Sequence, residues 1–236
     1  EFGEKRIVET PISETAFTGA GVGASLMGLR PIIEIMFGDF VSLTFHPIVN
    51  HAAKYYFMTA KQVHVPLVLR TPFGSGTGAA AQHSQSLESA YLNTPGLKVI
   101  MPSTPYDAKG LLKSAIRDNS PVMFFFFFLL YRTEGEVPQE EYTIPIGKAD
   151  IKREGTDITL ITYSRMVQVC LNAAEELAKE GIDAEVLDLR TLRPLDTELI
   201  TESVKKTSRT LIVYEAPQFG GFGGEIAAQI NESEAF

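Results

Sequence analysis

The sequence has one cysteine, few basic residues and no long apolar run, and each shortage excludes a class of protein. A single thiol, Cys170, cannot build an internal disulfide framework and is typical of a reducing compartment. The longest apolar stretch, VMFFFFFLLY, is far shorter than the roughly 20 residues that a membrane-spanning helix needs. The first ten residues, EFGEKRIVET, are polar and lack the pattern of a signal peptide. We therefore expect a soluble protein that does not enter a membrane.

Basic residues are outnumbered, with 21 Lys and Arg against 29 Asp and Glu, so the formal net charge is -8. A nucleic-acid surface needs clustered cations to neutralise phosphates, and we expect no nucleic-acid partner. What is present is ordinary globular composition, 44% apolar and 21% charged. A chain of 236 residues is also long enough to bury a sizeable core in one or two domains.

The first half of the chain alternates between buried strands and helices. Short, continuous apolar runs are typical of parallel strands that are covered on both faces. Such runs predict strands at 30–37, 65–71 and 121–131, and helical patterns occupy 14–28, 46–60 and 104–118. This alternation predicts a doubly wound α/β domain.

The second half repeats the rhythm after a polar, proline-containing connection. Strands are predicted at 157–164, 183–192 and 209–217, and helices at 166–181, 196–207 and from 220 onward. We therefore divide the chain into a first α/β domain (1–134), a linker (135–153) and a second α/β domain (154–236). Three strands are few for such a domain, so we expect the second one to be truncated.

The loop GSGTGAAAQHSQSLE at 74–88 follows a predicted strand and allows two interpretations. As a phosphate-binding loop it is incomplete, because Ala79 stands at the third glycine position and no P-loop Lys-Ser/Thr follows. A Rossmann-type oxidoreductase nevertheless remains an alternative. As a carrier of His83, the loop lies at the carboxyl side of a strand, where open α/β sheets bind ligands. The other three histidines, His46, His51 and His64, show no spacing typical of a metal site.

Several segments taken together resemble one known family. TPISETAFTGAGVGASLMGLRPIIEIMFGDF, VPLVLRTP, GTGAAAQHSQSLE and PGLKVIMPSTPYDAKGLLKSAIRD are similar, in order and spacing, to the β subunits of thiamine-diphosphate-dependent 2-oxo acid dehydrogenases. In the second half, IPIGKADIKREGTDIT, DLRTLRPLD and GGFGGEIAA extend the resemblance over essentially the whole chain. The resemblance implies a pyrimidine-binding domain followed by a transketolase C-terminal domain, and oxidative decarboxylation of pyruvate or a related 2-oxo acid.

The resemblance also implies roles for individual residues. Glu14 matches the glutamate that shares a proton with the cofactor's pyrimidine ring nitrogen, and His83 matches the histidine that faces the thiazolium end. Phe40 matches the aromatic residue that stacks on the pyrimidine, with Ile12 and Met36 as its apolar surroundings. From the residues alone, Glu14 could equally be a helix-start carboxylate, and the three apolar residues could belong to the core.

Partners and ions follow from the same resemblance. An α subunit would hold the diphosphate and Mg²⁺ in an α2β2 heterotetramer, and a dihydrolipoyl acyltransferase core would receive the acyl group on lipoyl. A structural K⁺ would be bound at positions matching Leu67, Ala115, Ile116, Asp118 and Ser120. Oxygen ligands of this kind suit a hard cation. Bacterial cytoplasm and mitochondrial matrix are both suitable reducing compartments.

The run of five phenylalanines at 124–128 departs from the family pattern, which has a polar trio at Phe126, Phe127 and Phe128. Five consecutive aromatic residues put rings on both faces of a strand and form an aggregation-prone window. His46-Pro47 likewise replaces the usual Asp-Gln. Two alternatives to the main function therefore stay open: a β subunit of an acetoin-cleaving dehydrogenase, or a catalytically silent structural partner in a multienzyme complex.

Overall fold

The structure, a computed structural model, describes residues 2–234; the outermost residues of the two predicted domains, Glu1 and 235–236, lie outside it. The α-helices are α1 (Glu14–Leu26), α2 (Ala53–Met58), α3 (Ser89–Leu92), α4 (Pro105–Arg117), α5 (Met166–Lys179), α6 (Thr197–Thr207) and α7 (Gly223–Glu232). The strands are β1 (Ile32–Glu34), β2 (Val68–Phe73), β3 (Lys98–Ile100), β4 (Val122–Phe127), β5 (Asp150–Arg153), β6 (Ile158–Thr162), β7 (Ala184–Asp188), β8 (Thr191–Arg193) and β9 (Thr210–Val213). Shorter turns of helix are the 3₁₀ segments Gly38–Thr44, Ala81–His83 and Phe128–Arg132 and the π-helix His46–Ala52.

The strands form two sheets, which confirms the predicted α/β fold. The first sheet has the order β1-β2-β4-β3-β8 and the second the order β5-β7-β6-β9. All strand pairs are parallel except β3 with β8 and β5 with β7. One apolar cluster contains side chains of both sheets, such as Val99 and Met123 of the first and Ile161 and Leu187 of the second. The two halves of the chain therefore share a core.

The phenylalanine run forms the centre of the first sheet. Strand β4 is paired on both sides, with β2 and with β3, so its backbone is not available to another chain. Phe125 packs against Phe73 on one face, with ring centres 4.5 Å apart, whereas Phe124 and Phe126 pack on each other at 4.9 Å. Burial on both faces accounts for a run in which every residue is apolar.

The prediction of a single strand at 183–192 is wrong. Strand β7 ends at Asp188, and Arg190 adopts a left-handed conformation with φ of 54°. The chain turns there, and β8 pairs antiparallel with β3 of the first sheet. An apolar pattern does not report which sheet a strand joins, and the break falls at a residue type that gives no turn signal.

Two other stretches differ from the sequence predictions. The helix predicted at 46–60 is a π-helix, His46–Ala52, followed by the short α2. The segment 133–149 contains no helix or strand, and β5 begins at Asp150, inside the stretch predicted to be a linker. Within residues 2–234, no helix combines the length and the apolar character needed to cross a membrane.

Candidate active site around His83

His83 lies where the parallel strands of the first sheet end. It closes the 3₁₀ segment Ala81–His83 in the loop that follows β2, and its imidazole is half-buried. The ring stands nearly perpendicular to two phenylalanine rings, with centres 4.5 Å from Phe37 and 5.4 Å from Phe40. Ring edges and faces of opposite partial charge attract in this arrangement. The structure thus brings together His83 and Phe40, which are far apart in the sequence.

The 3₁₀ segment Gly38–Thr44 is the platform for this group. Gly38 begins it, and a Cβ at that position would overlap the Phe73 ring, so only glycine lets the segment pack on β2. The Asp39 carboxylate accepts hydrogen bonds from the backbone N–H and the side-chain amide of Gln85, at 3.2 and 2.8 Å. These bonds fix the His83 loop to the segment that carries Phe40.

Unusual backbone angles are concentrated in the His83 loop. Gly74, Gly76 and Gly78 have φ of 101°, 91° and 77°, and a Cβ at Gly74 would overlap the Phe127 ring. Ala80 adopts φ of 62° without being glycine, which costs on the order of 1–3 kcal/mol. The glycines therefore serve the shape of the loop that presents His83.

The glycine run is not arranged to hold a phosphate. The backbone N–H of Ser75 donates to the Glu215 carboxylate at 2.8 Å, and Arg165 contacts the other oxygen of that carboxylate at 3.4 Å. Because the Glu215 carboxylate already accepts from this loop, a phosphate at the same place would be repelled by its negative charge. This geometry argues against the dinucleotide-binding interpretation.

Glu14 is the first residue of α1 and is half-buried. Its neighbour Thr15 donates from Oγ1 to the Leu43 carbonyl at 2.6 Å, which attaches the start of α1 to the segment that carries Phe40. The carboxylate also lies at the partly positive end of the helix. Glu14, Phe40 and His83 are consequently supported by the same 3₁₀ segment.

The apolar residues predicted to surround the cofactor are on the surface. Ile12 is 82% exposed, Met36 64% and Phe40 36%. The core-packing interpretation is therefore wrong for these three positions. Exposed apolar side chains of this kind form a surface that a ligand or a partner chain could cover.

A buried acid near this region was not singled out from the sequence. Glu88 is almost fully buried, and its Oε1 accepts a hydrogen bond from the Tyr163 hydroxyl at 2.9 Å, while Oε2 has no hydrogen-bond partner among residues 2–234. Burial raises the pKa of Glu88 above its ordinary value. Glu88 ends the quoted loop, but only the tertiary packing of the second sheet against it buries the carboxyl.

Four of the five residues predicted to bind K⁺ lie in or just after the last turn of α4, where a guanidinium already contacts two of their carbonyls. Arg30 Nη1 donates to the carbonyls of Ile116 and Asp118 at 3.1 and 2.8 Å. The Asp118 carboxylate pairs with Lys98 and accepts from the Ser120 N–H. The carbonyls of Leu67 and Ala115 accept from backbone N–H groups of Val122 and Asp118. The donor set suits a hard cation, and Arg30 supplies positive charge at the same place.

A well-formed cavity lies elsewhere in the molecule. It has a volume of about 580 Å³ and is lined by residues of α3, β8 and α7, including Leu92, Arg193 and Phe222, and by none of the predicted site residues. The His83 region is instead an open surface in the single chain.

The comparison with known proteins first identifies the class. Residues 1–133 match the family described as Transketolase, pyrimidine binding domain, and residues 147–236 match Transketolase, C-terminal domain. A solved structure titled "Split gene transketolase, inactive beta4 tetramer" has the same fold, with a TM-score of 0.82 over 98% of this chain and 72% of that chain, at 24% identity.

More similar curated relatives narrow the class. The chain is 50% identical to the 2-oxoisovalerate dehydrogenase subunit beta of Bacillus subtilis, covering 98% of this chain and 71% of the relative. It is 49% identical to the acetoin:2,6-dichlorophenolindophenol oxidoreductase subunit beta of the same organism, covering 98% and 67%. The Pyruvate dehydrogenase E1 component subunit beta of Porphyra purpurea is also 49% identical, over 98% and 70%. The chain therefore belongs to the transketolase-like family of 2-oxo acid and acetoin dehydrogenase β subunits, as the sequence resemblance predicted.

Proposed function

We propose that this chain is the β subunit of a thiamine-diphosphate-dependent 2-oxo acid dehydrogenase, which decarboxylates a 2-oxo acid and passes the acyl group to lipoyl. The proposal rests on one observation: the 3₁₀ segment Gly38–Thr44 carries Phe40 and is bonded both to the start of α1, where Glu14 lies, and to the His83 loop. The relatives that are about half identical to this chain have names of this type.

The exposed residues suit the pyrimidine half of the cofactor. Phe40 offers a ring face, and Ile12 and Met36 offer apolar surface that water now covers. Glu14, half-buried at the start of α1, would share a proton with the pyrimidine ring nitrogen. Bound thiamine diphosphate supplies the electron sink for decarboxylation.

His83 would act on the substrate side. Its imidazole is fixed edge-on to Phe37 and Phe40, and the Gln85–Asp39 bonds hold its loop. From that position it would donate a proton to, or accept one from, an oxygen of the substrate during acyl transfer. The Phe37 ring covers part of the imidazole and itself packs against the Phe128 ring, with ring centres 5.3 Å apart.

An α subunit would complete the site and hold the diphosphate with Mg²⁺. The His83 loop already binds the Glu215 carboxylate, which favours a diphosphate held by another component. A further group of exposed apolar side chains lies just after α1, on β1 and on the 3₁₀ segment Gly38–Thr44: Met27, Leu29, Ile32 and Leu43. We propose that this surface is covered in an α2β2 heterotetramer, with a dihydrolipoyl acyltransferase core as the next partner.

A reducing compartment, bacterial cytoplasm or mitochondrial matrix, agrees with the free, buried Cys170.

K⁺ bound by the oxygens at the end of α4 is a further part of the proposal. Because Arg30 contacts two of these carbonyls, K⁺ would have to displace its guanidinium. We therefore expect KCl, compared with choline chloride, to raise the Tm more in Arg30→Gln than in the native chain. An equal response of both proteins to K⁺ would contradict this arrangement.

A second candidate function is acetoin cleavage, because a relative with that name is as similar to the chain as the 2-oxo acid dehydrogenases are. The experiment is reconstitution of the chain with the α subunit of its own organism. Decarboxylation of pyruvate and of branched 2-oxo acids, and cleavage of acetoin, are then measured with thiamine diphosphate.

Replacement of Glu14 tests the mechanism in the same assay. We expect Glu14→Gln to lose roughly 10²- to 10⁴-fold in turnover, since an amide cannot transfer the proton. Glu9→Gln, a control on the exposed segment before α1, should keep full activity. Full activity of Glu14→Gln would overturn the assignment, and turnover of acetoin alone would select the second candidate.

A further inference from the structure

Two histidines outside the His83 site are brought together by the π-helix. His46 and His51 are the first and the sixth residue of a segment with i→i+5 hydrogen bonding. In an α-helix of 3.6 residues per turn, residues five apart point in different directions. The wider π winding places both imidazoles on one face, with Nε2 atoms 3.1 Å apart. The sequence spacing alone therefore does not indicate that these two imidazoles meet.

The distance between the two nitrogens suits a shared metal ion. Two ligands at about 2.05 Å from one ion are about 2.9 Å apart at a right angle and about 3.3 Å apart at the tetrahedral angle. The ring centres of His46 and His51 are 4.8 Å apart. Two imidazoles that point at one ion with an angle of about 98° would have both this ring separation and a nitrogen separation of about 3.1 Å. The nitrogen–nitrogen and ring-centre separations are therefore those of two imidazoles that bind the same metal ion.

The outer nitrogens of both rings have polar partners. His46 Nδ1 lies 3.0 Å from the side-chain amide of Asn50, and His51 Nδ1 lies 3.0 Å from the Tyr55 hydroxyl. An amide rotated by 180° and a phenol oxygen both accept an N–H, which leaves the Nε2 lone pairs for a metal. Histidine ligands in metal sites characteristically have such outer partners, which set the tautomer and hold the ring.

We propose that His46 and His51 bind one divalent first-row transition ion, of the Zn²⁺, Ni²⁺ or Cu²⁺ type that imidazole prefers. His46 is exposed and His51 half-buried, so an ion can reach the pair from solvent. Within residues 2–234 no group of three or more His, Cys, Asp or Glu is placed for a metal, so water fills the remaining positions. The site is separate from the predicted K⁺ oxygens and needs no thiamine diphosphate.

The test is a titration of the purified full chain with ZnSO₄, followed by calorimetry, and with CuSO₄, followed by electron paramagnetic resonance. We expect one ion per chain and a Cu²⁺ spectrum with splitting from two nitrogen ligands. His46→Gln and His51→Gln should each weaken binding at least tenfold. Tyr55→Phe, which removes an outer partner, should weaken it by roughly 10-fold or more while both ligands remain.

His64→Gln is the matched control, because His64 is exposed and packs on the Tyr56 ring, away from the pair. It should bind ions like the native chain. Far-UV circular dichroism without metal should be the same for all variants, which shows that they fold. Native affinity in both His46→Gln and His51→Gln, or an equal loss in His64→Gln, would overturn the proposal and leave a simple hydrogen bond between two imidazoles.

Discussion

Two regions of this molecule differ in how completely the chain itself supplies contacts to their side chains. Around His83, aromatic and apolar side chains are partly exposed, and Ala80 is held at positive φ. Between the two sheets, by contrast, charged side chains are buried and paired with one another. Asp107 of α4 accepts from Lys152 at 2.6 Å and from Arg190 at 3.1 Å, across the boundary between the two halves of the chain.

This interdomain charge network, formed by Ser103, Asp107, Lys152, Asp188 and Arg190, is nearly complete in itself. Arg190 also donates to the carbonyls of Lys148 and Ala149, and Asp188 accepts from Ser103 at 2.5 Å. Buried charges are tolerated only when paired and hydrogen-bonded. The network therefore fixes the two halves relative to each other, whereas the His83 region exposes aromatic and apolar side chains that we propose a ligand and a partner subunit cover.

The largest effect on stability is expected when the network is broken at Asp107. Burial by itself would raise the pKa of Asp107, but the bonds from Lys152, Thr104 and Arg190 lower it below the ordinary value. Asp107→Asn would leave buried cations without their carboxylate and cost roughly 3–5 kcal/mol in the free energy of unfolding. Urea unfolding measures this, with Glu176→Gln of an exposed ion pair as a control that should show no change. Equal midpoints for both variants would contradict the comparison.

A pH effect sharpens the comparison at Asp188. Burial raises the pKa of Asp188 from 3.8 to about 7, and the hydrogen bond from Ser103 and the charge of Lys152, 3.9 Å away, offset only part of this effect. Between these values the folded protein holds a proton that the unfolded chain has released, so stability falls as pH rises through this window. The fall is at most about 4 kcal/mol. Chemical unfolding at pH 5 and pH 8 should show it in the native chain and not in Asp188→Asn; the same slope in both proteins would refute it.

The smallest effect on stability is expected at Phe40 in the His83 region. Phe40→Ala removes edge contacts with Phe37 and His83 from a partly exposed position and should cost no more than about 1 kcal/mol. In the enzyme reconstituted with its α subunit, the same change should weaken thiamine diphosphate binding at least tenfold. Phe57→Ala, at an exposed position on α2, is the control and should leave cofactor binding unchanged. A large loss of stability with normal cofactor binding would overturn the proposed role of Phe40.

Much of the fold was predictable because continuous apolar runs mark strands that are buried on both faces. β2, β4, β6 and β9 all lie inside predicted strands or overlap them by most of their length. The short β3 was missed, and β8 was merged with β7, because three-residue strands carry little periodic signal.

The candidate site was predictable only in part. Glu14, Phe40 and His83 were found because they lie in segments that resemble a known family, and their support by one 3₁₀ segment came from the structure. Glu88 and the interdomain charge network were missed, since residues far apart in sequence create them and no local pattern reports burial.

The sequence by itself determined the α/β class, the family and the segments that carry candidate site residues, because periodicity and linear motifs are local properties. Only the tertiary structure decided that β8 crosses into the first sheet, that Asp107 meets Arg190 and that His46 faces His51. These outcomes depend on where the chain turns and how one helix is wound. Such choices are set by packing between distant segments and by the need to pair every buried charge.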